Sequence, residues 1–452
     1  MIRTARRPTS RRAPVRSDAL RSAIVGASLV AATQPIFLGN GLVFAIVLAM
    51  LALGALVVKG NQPVAIPVAL CAFVGWAVVS IGWSRDPRGT VYALVALITT
   101  VVMGIAFSRY GLRAVTRGLL GGAIFVLVTS VVLAWVVPSV GRVSDAYGFG
   151  AIQGIYDHRN TFATVMVLGA TMAIARLMAG EGRALVSLVM IAAFAAATIS
   201  AQSSTALAIT FAVLVVALGL AGASRIDVRI LRAVLPITLI ALLGFAVPWA
   251  VRSLDSIIVF LGRDETLTGR TEIWDLVLEA SAESPAAGYG WGGVWTSQVG
   301  RSIQEAFGYE AANSAHNGYL EVLLEVGIVG LTLYVLTAAP ALYRSVELAV
   351  SDRRFVSLAL VLSVLLAYNV TEARAVRPVG TLILALVAAS SLGLWRVPRH
   401  RARARPHDTS PRQRAAPSLQ QETEPSSRRG HLNGRRSVRS SAMRSTSSSR
   451  RL

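Results

Sequence analysis

Apolar residues along this chain come in long unbroken blocks, separated by short clusters of Arg, Gly, Pro and Ser. The blocks run to about 18–22 residues, the length a helix needs to cross a hydrocarbon core about 30 Å thick. Reading each block against its punctuation predicts twelve spans, at 22–38, 41–58, 63–83, 90–107, 118–137, 161–178, 184–200, 205–222, 233–251, 317–341, 355–371 and 378–395. Runs such as 91–107 and 184–199 lack the polar–apolar alternation of a membrane β-barrel. A segment in lipid must satisfy its own backbone hydrogen bonds, so each span is expected to be a helix. The expected class is an all-α polytopic membrane protein with about 12 transmembrane helices and a large outer loop between spans 9 and 10.

Charge then orients the chain. Of 452 residues, 54% are hydrophobic and only 15% charged, which sets it apart from a soluble protein of this length. The net charge of +21 comes from arginine, with Lys59 the only lysine. These cations gather in the two tails and between apolar blocks, a distribution that orients a membrane protein and argues against a nucleic-acid partner. With the amino terminus inside, the cytoplasmic connections carry Lys59; Arg109, Arg113 and Arg117; Arg176 and Arg183; Arg225, Arg229 and Arg232; and Arg344, Arg353 and Arg354. Both tails are then expected on the cytoplasmic side of the membrane. The expected layout is a basic tail at 1–21, spans 1–9 within 22–251, the large outer loop at 252–316, spans 10–12 within 317–397, and a basic tail at 398–452 that is expected to be disordered. Arg11 and Arg12 also fit a twin-arginine export signal, but no small-residue cleavage site closes a short apolar core. The one cysteine, Cys71, sits in an apolar run, so neither a disulfide framework nor a zinc cluster is expected.

Two outer connections are long, 138–160 and 252–316, and long loops often carry function. Within the second, residues 268–295 read TGRTEIWDLVLEASAESPAAGYGWGGVW. Glu272, Asp275 and Glu279 fall three and four apart, opposite Ile273, Trp274, Val277 and Leu278, so an amphipathic helix is expected. It is too short to span and is expected at the outer interface, its tryptophan at headgroup level. Pro285 ends it, and Gly288, Gly290, Gly292 and Gly293 make a turn. The run HNGYLEVLLEVGIVG at 316–330 follows, opening the tenth span with Glu321 and Glu325 on one face.

A GRxxxW helix, a proline–glycine turn and HNxxLxxxxExGxxG opening a span resemble the O-antigen ligase/polymerase family. Two further stretches are similar to that family: Asp157-His158-Arg159-Asn160 before the sixth span, and Gln202-Ser203-Ser204-Thr205 between spans seven and eight. The family often carries a basic residue where this chain has Ser204. The resemblance implies a GT-C-like glycosyltransferase that moves a glycan from a polyprenyl-diphosphate carrier to an acceptor hydroxyl on the outer face. Its partners would be that lipid-linked donor, a glycan, lipid or protein acceptor, and membrane lipids.

Such a reaction leaves a lipid diphosphate, whose charge needs a divalent metal or several guanidinium groups. No paired-carboxylate motif lies on the outer side, so no metal is expected, and arginine forks suit phosphate oxygens. Arg270 and Arg159 are the expected diphosphate clamp, with Arg374 a third candidate; contact with lipid headgroups is the competing role for each. Of the five histidines, only His158 and His316 lie on the outer side. His316 matches the family's histidine and is the expected general base, against a plain helix-capping role. Asn317 accompanies it in the motif, and His158 and Trp274 are supporting candidates. Glu325 is expected to fix a neighbouring arginine or the histidine, with Glu321 a weaker candidate. Tyr319 and Trp291 either wall an acceptor site or anchor the interface. The glycine turn follows no strand and faces outward, so no nucleotide cofactor is expected. The alternative class is a multi-span transporter or flippase of lipid-linked glycan. That class usually shows internal repeats, and none is evident between the two halves.

Overall fold

The computed structural model describes residues 13–39, 41–144, 150–226, 268–308, 313–373 and 377–395, together with positions 234 and 238. Apart from those two positions, the expected ninth span, the first part of the large loop, Arg374 and the tail from 398 lie outside the described residues. Among those described, the chain is helical throughout, with one isolated bridge between Arg142 and Ile152. The helices are α1 (Ala13–Ala32), α2 (Leu42–Val57), α3 (Val68–Val79), α4 (Pro87–Phe107), α5 (Leu112–Val136), the single turn α6 (Pro138–Gly141), α7 (Arg159–Met178), α8 (Ala184–Ser200) and α9 (Ser204–Ala223). After the undescribed stretch come α10 (Thr268–Glu283), α11 (Gln298–Phe307), α12 (Gly318–Ser351), α13 (Val356–Thr371) and α14 (Pro378–Trp395).

Among the described residues, six helical segments are long and apolar enough to cross a membrane, and four shorter apolar helices accompany them. Several expected spans coincide with helices: 184–200 with α8, 41–58 with α2, and 378–395 with α14. Helix α1 departs from expectation, starting at Ala13 inside the anticipated tail and stopping at Ala32. Arg21 explains the early start. Its guanidinium donates to the Lys59 carbonyl at 2.9 and 2.6 Å and pairs with Asp18 at 2.8 Å, so the charge is satisfied within the helix.

Burial sorts the helices into centre and rim. In α7 every residue from Phe162 to Ala175 is buried, and in α13 every residue from Val356 to Leu365. Helices apolar and enclosed all round belong to a core. By contrast α2 turns Leu42, Val43, Ile46, Met50 and Leu53 outward, a face suited to lipid. The start of α7 and the end of α13 meet the start of α12 at one end of this central pair.

Helix α12 is not continuous. Gly327 adopts φ 67°, ψ −172°, a left-handed break in the middle of apolar sequence. A Cβ there would lie 2.2 Å from the Ala286 carbonyl oxygen. The turn that follows α10 is laid into the break. The Ile328 amide donates to Pro285 O (2.8 Å), Gly290 N to Glu325 O (2.8 Å) and Tyr289 N to Leu324 O (3.1 Å), while the Trp76 indole caps Val326 O (2.9 Å). Backbone groups freed by the break are thus satisfied by protein, as irregular structure within a membrane bundle requires.

Candidate active site

The amphipathic helix forms as expected, and most of its apolar stripe faces protein while Leu278 stays exposed. Ile273 and Val277 of α10 are buried in a small second core with Tyr289, Val294, Ile303 and Leu324. Trp274, expected as a headgroup anchor, turns inward and donates its indole N–H to the Ala315 carbonyl at 2.9 Å. Trp291 is a core residue, edge-on to Phe73 at 5.5 Å, and so cannot wall an acceptor site. Tyr319 donates to the Leu366 carbonyl at 3.1 Å.

Ala315 is fixed from two sides. Trp274 takes its carbonyl, and its amide donates to Glu321 Oε2 at 2.7 Å. Glu321 is itself held by the Trp295 indole at 2.6 Å. On the other flank, Asn317 caps α12: its Oδ1 accepts from Tyr319 N (3.0 Å) and Leu320 N (3.2 Å), and its Nδ2 donates to Val370 O (3.3 Å). His316 sits between these anchors at φ 48°, a left-handed conformation that a non-glycine residue keeps only when its surroundings dictate it. Its side chain is 40% exposed, the least covered of the groups gathered around Glu372.

These groups converge on a residue that sequence reasoning did not select, Glu372, at the end of α13. Its Oε1 accepts from Asn160 Nδ2 at 3.0 Å and lies 3.4 Å from Arg270 Nη2, and its Oε2 lies 3.8 Å from His316 Nδ1. Arg270 also donates to the Thr371 carbonyl at 2.7 Å. Glu372 and Arg270 are largely enclosed, with side chains 8% and 13% exposed. Four helices therefore bring one carboxylate, one guanidinium, one imidazole and one amide to a single point: α7, α10, α12 and α13.

The other expected residues fall at different distances from this point. Arg159 opens α7, one residue before Asn160, and is half-buried. His158 is exposed and caps the same helix, its Nδ1 accepting from Asn160 N at 3.1 Å. Glu325 does not reach Arg270 or His316 through any described contact. It is buried beside Glu321 and takes the Gly292 amide, while its Oε2 has no hydrogen-bond partner among the described residues. The acid that stands beside Arg270 and His316 is Glu372, while Glu325 interacts electrostatically with Arg377. The signal for Glu372 was a lone acid in TEAR at 371–374, two residues before the arginine that drew attention instead. Among the described residues, no cluster of three or more His, Cys, Asp or Glu could hold a metal ion.

Residues 188–335 match the sequence profile of a family described as O-Antigen ligase. Together with the multi-pass helical architecture, this match supports the O-antigen ligase/polymerase family as the class of this chain. The chain is also 29% identical over 300 residues to the exopolysaccharide production protein ExoQ of Rhizobium meliloti (strain 1021), a match covering 63% of this chain. It spans 66% of the length of that relative, just short of two thirds. Arg270, Trp274, His316 and Asn317 fall inside the family-matched region, whereas Arg159, Asn160 and Glu372 lie outside it.

Proposed function

We propose that this chain is a GT-C-like membrane glycosyltransferase that moves a glycan from a polyprenyl-diphosphate carrier to an acceptor hydroxyl on the outer face of the inner membrane. The observation that carries the reading is the convergence of Arg270, Asn160 and His316 on Glu372. His316 is the general base. A carboxylate on its Nδ1 side favours the tautomer protonated there and leaves Nε2 to accept the acceptor's hydroxyl proton. Arg270 supplies fixed positive charge for the departing diphosphate. Its described hydrogen bonds use two of five N–H donors, so the fork keeps donors for phosphate oxygens. Arg159, at the start of α7, is the second cation of the clamp, and Arg374 remains a third. Asn160 holds Glu372 in place, and Trp274, Glu321 and Asn317 fix the backbone that carries the base.

The reaction balances without further reagents: the acceptor oxygen bonds the anomeric carbon, the bond to the diphosphate oxygen breaks, and the acceptor proton passes to His316. Water exclusion by the enclosed Arg270–Glu372 pair strengthens these charges. The name of the relative favours a polysaccharide as the product class, made either by ligation or by polymerisation. Twelve spans with both termini cytoplasmic remain the proposed topology. His316→Ala is expected to insert and accumulate normally while cell-envelope glycan made by this chain falls at least about a hundredfold, as loss of a general base predicts. Undiminished glycan in that variant would remove His316 from the mechanism.

A further inference from the structure

At the end of the bundle away from Glu372 lies a second concavity, a cavity of about 570 Å³ that the proposed reaction does not use. It is framed by the ends of α4, α5, α7, α13 and α14, and α13 alone separates it from Glu372 by about 20–25 Å at 1.5 Å per residue. Three arginines, Arg113, Arg176 and Arg354, line it with one acid, Glu181, and a second acid, Asp352, pairs with Arg354 just outside the lining. Its buried lining includes the apolar Phe107 and Leu358 beside the hydrogen-bonded hydroxyls of Thr116 and Ser357.

Two of the cations are paired with carboxylates at the rim, Arg113 with Glu181 and Arg354 with Asp352, while Arg176 is held by backbone. Arg176 donates through Nε to the Glu181 carbonyl at 3.0 Å, a backbone contact that leaves its charge unpaired by that bond. Arg113 meets the Glu181 carboxylate at 3.4 Å with a side chain 65% exposed. Arg354 is braced by Asp352 at 2.9 Å through Nε. Three guanidinium groups over a partly apolar recess match a phosphate ester carried on hydrocarbon chains, with the phosphate on the arginines and the chain stems against Phe107 and Leu358.

We propose that this cavity binds the phosphate of an anionic phospholipid. Under the proposed topology it opens to the cytoplasmic leaflet, where such lipids are drawn to basic surfaces. The site is independent of the transfer chemistry and holds whichever reaction occurs at the far end.

The test is native mass spectrometry of the full-length protein in detergent, titrated with phosphatidylglycerol, phosphatidylcholine or inorganic phosphate. At about fivefold per arginine, the wild type is expected to prefer phosphatidylglycerol over phosphatidylcholine by at least about tenfold. The triple variant Arg113→Gln, Arg176→Gln, Arg354→Gln should lose that preference, and Arg301→Gln, an exposed change on α11, should keep it. Arg113→Gln alone, at an exposed side chain, should weaken the preference severalfold without shifting the melting temperature, which separates lost binding from lost folding. No preference in the wild type, or full preference in the triple variant, would overturn the proposal. Displacement of bound lipid by millimolar inorganic phosphate would reassign the cavity to a soluble anion and overturn the lipid assignment.

Discussion

Glu372→Gln is the most informative single change, because glutamine keeps the shape and the carbonyl that Asn160 needs while removing the charge. At 3.8 Å, a carboxylate and an imidazolium attract by about 4 kcal/mol in an effective dielectric near 20. His316 is 40% exposed, so screening reduces the useful part to about 2 kcal/mol. As charge develops on the base in the transition state, losing that amount slows the chemical step about 30-fold. A second effect falls on Arg270, which keeps its bond to the Thr371 carbonyl but loses a competing carboxylate, so donor KM is expected not to rise. Steady-state transfer by purified protein with a polyprenyl-diphosphate glycan reads both constants. Thermal unfolding in the same detergent checks that the fold survives. A folded Glu372→Gln protein with kcat within twofold of wild type would refute the reasoning, since no charge at that point could then matter to the base.

Arg270→Lys should lose at least about tenfold in kcat/KM with the same donor, because an ammonium cannot hold the Thr371 carbonyl and phosphate oxygens in one plane. Gly327→Ala is expected to cost about 2–4 kcal/mol, from the left-handed backbone and the clash with the Ala286 carbonyl, read as a fall in Tm and in membrane yield. Asp86 caps α4 and is held below its ordinary value of 3.8 by hydrogen bonds from the Thr296 hydroxyl and the Gly89 amide. Its contribution is therefore present above that ordinary value and lost as pH falls through the lowered one. Thr296→Val should move acid unfolding to higher pH, followed by intrinsic fluorescence.

Much of the bundle was legible because the membrane imposes it. A block such as 184–200 has one structural outcome in lipid, and it became α8 with those bounds. The errors lie where a distant partner changes the terms. Asp18 offers Arg21 one partner three residues back, but the Lys59 carbonyl, 38 positions away, accepts the rest of its guanidinium. Gly327 reads as an ordinary glycine in an apolar run, and the break exists because the Pro285–Gly290 turn supplies the missing hydrogen bonds. The site divides in the same way. His316 and Arg270 announce themselves through a compact motif, while Glu372 is a single acid closing a span, and its place becomes evident only where four helices meet.

The central claim is metal-independent transfer at the Glu372 cluster, and it is met most directly by purified protein, a polyprenyl-diphosphate glycan, EDTA and no nucleotide. The account predicts release of the lipid diphosphate in step with a new glycosidic product, abolished by His316→Ala, with product length separating ligation from polymerisation. A donor that stays intact across plausible acceptors, yet crosses reconstituted vesicles with the protein present, would contradict it and make the cluster a gate in a transporter.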